Sequence, residues 1–87
     1  MRLRRLFLRG YPEEAVVREI VRTNLRVNDV QQYRLVYDYR RSDGVMMGGD
    51  SRARARDWFG PIRPGDRIDI VVDPQDESRS AWVRDAD

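Results

Sequence analysis

Across 87 residues there is no cysteine, no histidine and no lysine; all 17 basic residues are arginine. Without cysteine there can be no disulfide framework and no thiolate metal ligand. Without histidine the commonest general base and the imidazole ligand are missing. A cysteine nucleophile and a lysine base are excluded on the same count. No apolar run approaches the roughly 20 residues of a membrane-spanning helix. The N-terminal decapeptide is basic, but Arg9 interrupts its short Leu/Phe run, so the 7–15-residue apolar stretch of a signal peptide is absent. The expectation is a cytoplasmic protein, with a basic N-terminal tail (residues 1–9) that docks its Leu and Phe on the domain. Membrane-surface association of that tail is the alternative.

What is present is one small domain's worth of chain. With 40% hydrophobic and 37% charged residues it can form a core, though a chain this short buries only about 60% of its unfolded surface. The net charge of +2 conceals an asymmetry. Residues 1–56 hold 13 Arg against 7 acids, and residues 57–87 hold 4 Arg against 8 acids. A basic half invites a polyanion; a dipolar chain can equally pair with itself or stack head to tail.

Tyr33, Leu35, Tyr37 and Tyr39 alternate with Arg34, Val36, Asp38 and Arg40, which predicts a half-buried strand with an aromatic face. Asn28-Asp29 reads as a turn before it, and Ser42-Asp43-Gly44 as a hairpin turn after it. Val45–Gly49 should return antiparallel, with Gly48-Gly49 at a bulge or strand end. Ile68, Ile70 and Val72 define another strand, Asp73-Pro74 a bend, and Ser80–Arg84 a short last strand. Residues 12–23 carry conflicting signals. Pro12-Glu13-Glu14 suits a helix start, and Val16/Ile20 and Val17/Val21 have helical spacing. The wealth of β-branched residues suits a strand. Periodicity leaves both open. The expected architecture is mainly all-β: a small antiparallel twisted sheet or partly open β-barrel of about five strands over residues 10–84, with an acidic, frayed tail at 85–87.

Several pieces together resemble the DUF3592 family of small bacterial β-domains of unknown function. They are the Gly10…Ala15-Val16-Val17 opening, the segment Arg22–Asn28, the tyrosine strand closed by Asp43-Gly44, and the run from Arg63-Pro64-Gly65-Asp66 through Asp73-Pro74 to Ser80. The resemblance implies a strand over residues 15–26 and no known enzyme activity. It implies relatives that sit beside membrane helices or in tandem copies. This chain has neither, and the expectation is therefore a soluble version that is oligomeric or bound to a partner.

Two side-chain constellations carry possible chemistry. Arg52, Arg54 and Arg56, beside Trp58 and Phe59, combine phosphate-seeking charge with rings on which a base could stack. In an extended chain the three guanidinium groups share one face. The plainer reading is that these arginines solvate an edge strand while the tyrosines fill the core. Asp66, Asp69, Asp73, Asp76 and Glu77 cluster in sequence, but turn carboxylates ordinarily bond the local backbone. Met46-Met47 should fill a gap in the barrel. The leading expectation is a non-enzymatic protein–protein interaction module, a structural subunit of a larger assembly, with Arg52, Arg54, Arg56, Trp58 and Phe59 as candidate interaction surface. The alternative is single-stranded nucleic-acid binding through the same arginines and Trp58. No cofactor, metal or small-molecule substrate is expected.

Overall fold

A computed structural model describes residues 3–86. Met1, Arg2 and Asp87, the extremities of the two expected tails, lie outside the described residues. Helix α1 (Leu3–Arg9) precedes six strands: β1 (Tyr11–Val27), β2 (Val30–Arg40), β3 (Met46–Asp50), β4 (Arg54–Ala55), β5 (Arg67–Asp73) and β6 (Asp76–Trp82). Two 3-10 turns, Arg56–Phe59 and Val83–Ala86, complete the described residues. All the strands form one antiparallel sheet in the order β3-β2-β1-β5-β6, with β4 paired to the other end of β2.

The conflict at residues 12–23 resolves as a strand, as the family resemblance implied. Ala15 and Val17 point into the core, and so does Ile20, three residues further on. The register explains this: Val17 faces Tyr37 and Glu19 faces Val36, so one extra residue is inserted around Arg18. A bulge of this kind shifts the inward phase by one residue. An inward spacing of two followed by three imitates a helical period.

The sheet twists and curls around its inner face. That face carries Ala15, Val17, Leu35, Tyr37, Tyr39, Ile68, Ile70, Val72 and Trp82, all buried. The curl brings β3 alongside β6 without a backbone ladder between them, so the sheet is not closed. Side chains span the seam instead. The Tyr37 hydroxyl hydrogen-bonds Ser80 Oγ at 2.8 Å, and the Tyr39 hydroxyl donates to the Glu77 carbonyl at 2.6 Å. Phe59, from the first 3-10 turn, stacks on Trp82 with centroids 6.2 Å apart and completes the core.

Gly48 and Gly49 do not form a bulge or end the strand; they pair regularly with Asp38 and Tyr37. At Gly49 the role is clearance. A Cβ on Gly49 would lie 2.6 Å from the Tyr37 ring, so a bare backbone is what lets the ring lie under β3. The last strand begins earlier than expected, at Asp76, because Pro74 and Gln75 alone make the turn from β5. Asp73 Oδ1 accepts the Gln75 N–H and holds that turn tight. Residues 83–86 are a 3-10 turn rather than strand or frayed tail, and Asp85 is buried.

The N-terminal segment is helical and packs on β5, β6 and the last 3-10 turn. Leu6 is buried and Leu8 exposed. In the register Ile70 faces Trp82 and Val71 faces Ala81; Ile70 and Trp82 point inward, so Val71 and Ala81 lie on the outer face. The helix therefore covers an apolar patch on the back of the sheet, apart from the main core.

Candidate functional site

The arginine–aromatic segment folds differently from a single extended stripe. Only Arg54 and Ala55 are extended, pairing with Tyr33 and Gln32 of β2. Arg56 begins the 3-10 turn. Arg52 and Arg56 are exposed, Arg54 and Trp58 are half-buried, and Phe59 is fully buried. Phe59 thus belongs to the core and not to an interaction surface. The segment turns here because Ser51 is pinned: its N–H donates to the Leu35 carbonyl and its hydroxyl accepts the Leu35 N–H, both at 2.9 Å.

Trp58 lies in an internal cluster. Its ring meets Phe59 and Trp82 edge-on, with centroids 5.3 and 5.7 Å away. The Arg54 and Arg84 guanidinium carbons lie over the same ring at 4.5 and 4.3 Å. Arg84 also donates to the Trp58 and Phe59 carbonyls. Two of the chain's own cations therefore occupy the indole that a stacked base would need. Beneath them, buried Asp85 accepts the Arg52 N–H at 2.9 Å and lies 3.9 Å from Arg54 Nη2. Asp85 Oδ1 and Arg54 Nε make no hydrogen bond among the described residues. Low-dielectric attraction between the two is their compensation for burial. The structure brings Arg54 and Trp58 together and leaves Arg52 and Arg56 outside their stack.

The acidic run serves the backbone, as its turn positions suggested. Asp66 accepts the Arg63 N–H, Asp73 the Gln75 N–H, and Asp76 both the N–H and the hydroxyl of Ser78. Glu77 goes further. Its carboxylate accepts the Tyr11 hydroxyl at 2.6 Å, the Ser42 N–H at 3.0 Å and the Ser42 hydroxyl at 2.9 Å. These bonds tie the start of β1 and the β2–β3 loop to β6. They hold the Glu77 carboxyl below its usual range, the Tyr11 bond contributing most. The same bond, with burial, pushes the Tyr11 phenol up to about 12.

A second surface is the distal half of the β1–β2 hairpin. β5 pairs with β1 from Tyr11 to Val16, and the loop at Gly65 and Asp66 bonds Val17. From Glu19 to Val27, β1 pairs with β2 alone, so among the described residues its other edge has no strand partner. β4 reaches only Gln32 and Tyr33 of β2. The hairpin therefore projects as an arm, and the molecule measures 41 × 26 × 19 Å. Its tip is a two-residue turn, Asn28 and Asp29, both at positive φ (50° and 64°) between the paired Val27 and Val30. Leu25, Val27 and Val30 around the tip are about half exposed, at 48%, 49% and 48%. A second irregularity, with two extra residues on β1 between Arg22 and Arg26, sits just below it. Gln31 braces that bulge by donating to the Thr23 carbonyl at 2.6 Å. None of these residues stood among the candidates Arg52, Arg54, Arg56, Trp58 and Phe59. Aliphatic residues flanking a turn such as Asn28-Asp29 are what any hairpin shows, so their exposure here follows only from the unpaired edge.

A curled, unclosed antiparallel sheet around one buried inner face defines a small β-domain. Across residues 12–87 the chain matches the family described as "Domain of unknown function (DUF3592)". It belongs to that family, as the turn and core residues had suggested. Comparison with curated proteins and with solved structures returns no match. No described helix is long and apolar enough to cross a membrane.

Proposed function

We propose that this domain is a non-enzymatic protein-binding module, a subunit of a larger assembly, and that the β1–β2 arm is its contact surface. One observation carries the reading: the arm combines an unpaired β1 edge with aliphatic side chains left half exposed at its tip. Free edges and exposed apolar residues are what partners cover. The bulges around Arg18 and between Arg22 and Arg26 favour a shaped partner over indiscriminate strand pairing, because a twisted edge templates poorly. The test is a photo-crosslinking residue placed at Leu25 or, as control, at Arg67, in cells of the native source. Protein adducts should form from the Leu25 position and not from Arg67. Absence of adducts at Leu25, or equal yields at both positions, overturns the reading.

The alternative, single-stranded nucleic-acid binding through Arg52, Arg54, Arg56 and Trp58, draws support from the exposed Arg52 and Arg56. It has less to stand on, because Arg54 and Arg84 cover the Trp58 ring. Tryptophan fluorescence titrated with an oligonucleotide at low and high salt checks it. Phosphate contacts give salt-sensitive quenching; no change at low salt removes this reading.

A further inference from the structure

We propose that the outward face of α1 is a docking surface for a membrane bearing anionic phospholipids, on which the domain rests by its back. The inference is independent of the arm, since α1 packs on β5, β6 and the last 3-10 turn.

Helix α1 reads Leu-Arg-Arg-Leu-Phe-Leu-Arg over Leu3–Arg9, and the first acidic residue of the chain is Glu13. Two of its leucines do opposite things. Leu6 is 4% exposed and anchors the helix to the back of the sheet. Leu8 is 76% exposed, more than any other large hydrophobic side chain among the described residues. Arg4 and Arg5 precede Leu8 by four and three positions, the spacing that shares one helix face. Exposed Arg9 follows it. Val83, 43% exposed, stands in the 3-10 turn against which α1 packs. A lone exposed leucine is ordinary; this one stands on a helix whose only charges are cationic.

The helix is already ordered. The Gly10 N–H donates to the Leu6 carbonyl at 2.6 Å, and a Cβ on Gly10 would lie 2.6 Å from that same oxygen. Glycine is what lets the chain turn from α1 straight into β1, which fixes the helix against the sheet. A preformed helix carries no ordering cost to the membrane.

The surroundings do not cancel the charge. Asp73 and Asp85 are buried and accept backbone N–H groups. Asp76 bonds Ser78 and feels the charge of Arg79. Glu77 turns to Tyr11 and Ser42. Glu14 pairs with Arg67 at 3.3 Å. Asp69, exposed on β5 opposite Glu14, remains against the three arginines of α1.

Guanidinium groups suit lipid phosphates, and each basic residue near an anionic bilayer strengthens binding about fivefold. Leu8 adds a contribution that salt does not screen, by entering the acyl boundary. Nucleic acid would engage the arginines and leave Leu8 in water; a bilayer engages both.

The test is co-sedimentation of the whole chain with phosphatidylcholine vesicles, with or without phosphatidylserine, at low and high salt. Phosphatidylserine vesicles should bind the protein at low salt, and neutral vesicles about a hundredfold more weakly. Leu8→Ser should lose roughly tenfold, and Arg9→Glu more than about fivefold. Arg26→Glu makes the same charge change at the arm tip and should leave binding unchanged. Circular dichroism confirms that each variant stays folded; Leu8→Ala replaces Leu8→Ser if the latter does not. No binding to phosphatidylserine vesicles at low salt overturns the inference, and so does equal binding to neutral ones. Equal losses in Arg9→Glu and Arg26→Glu overturn it too, because binding then follows net charge and not α1. Binding that the Leu8 variant leaves unchanged rejects the bilayer and marks a contact made by charge alone.

Discussion

Gly49 and Glu77 show how far single residues act here. Gly49 is needed for clearance, since the Tyr37 ring would lie 2.6 Å from any Cβ placed there. Tyr37 is itself fully buried and hydrogen-bonded to Ser80. Gly49→Ala should therefore lower stability by about 1–3 kcal/mol, the usual cost of overpacking, read as a lower urea midpoint. Glu77 acts through its charge. Its folded-state pKa is depressed, so the stability it confers is present above the ordinary carboxylate range and is lost as pH falls through the folded value. Glu77→Gln should be less stable than wild type at neutral pH, and urea midpoints of the two should converge in acid. The phenols work in the other direction. Tyr11 is raised to about 12 chiefly by its bond to Glu77, and Tyr37 to about 12 by burial. Their stabilisation is complete below pH 10, roughly the phenol's ordinary value, and disappears as pH rises through about 12. Tyr11→Phe should flatten that alkaline decline. The tyrosine face was legible from alternation, because a strand's inward residues recur every second position. The Glu77 cluster was not, since its partners Ser42 and Tyr11 lie 35 and 66 residues away.

Among the elements, β1 is the one whose sequence could be read two ways, and the bulge around Arg18 is the reason. Bulges insert a residue without a sequence marker of their own, so periodicity analysis sees the phase shift but cannot name it. The turns were more readable because positive φ demands particular residues. Asn28 and Asp29, at φ 50° and 64°, form the primed turn that matches the twist of a two-residue hairpin. Asp29→Gly should relieve the strain at that position and stabilise the arm by roughly 0.5–1 kcal/mol, seen as slower amide exchange at Val27 and Val30. The arginine segment was read less well. Alternation of Arg and Ala suggested a strand face, but Ser51 and buried Asp85 hold the chain on another course after β3. Asp85 follows the last strand and approaches Arg52 only once the sheet has curled.

Over the whole molecule, apolar cover divides into a core inside the curled sheet, a small patch beneath α1, and an arm that extends beyond both. Leu6→Asp should cost about 2–4 kcal/mol by burying a carboxylate under the helix, measured by urea denaturation. Amide exchange should also be graded along β1. Ala15, paired with β5, and Val17, paired with β2 and bonded to Asp66, should open only with global unfolding, whereas residues from Thr23 to Val27 should exchange faster. Equal protection along the strand would contradict the arm as a projecting element.

The mainly all-β class, the tyrosine core face, most turns and the family were legible before folding, because each depends on local periodicity or on backbone angles that few residues tolerate. The sequence also excluded thiol and imidazole chemistry outright. The meeting of remote strands placed Arg54 and Arg84 on Trp58, set Arg54 beside Asp85 and left part of β1 unpaired. Those outcomes depend on which distant strands meet when the sheet curls. Strand pairing between remote segments is set by the summed burial of the whole inner face, which no short window of sequence contains.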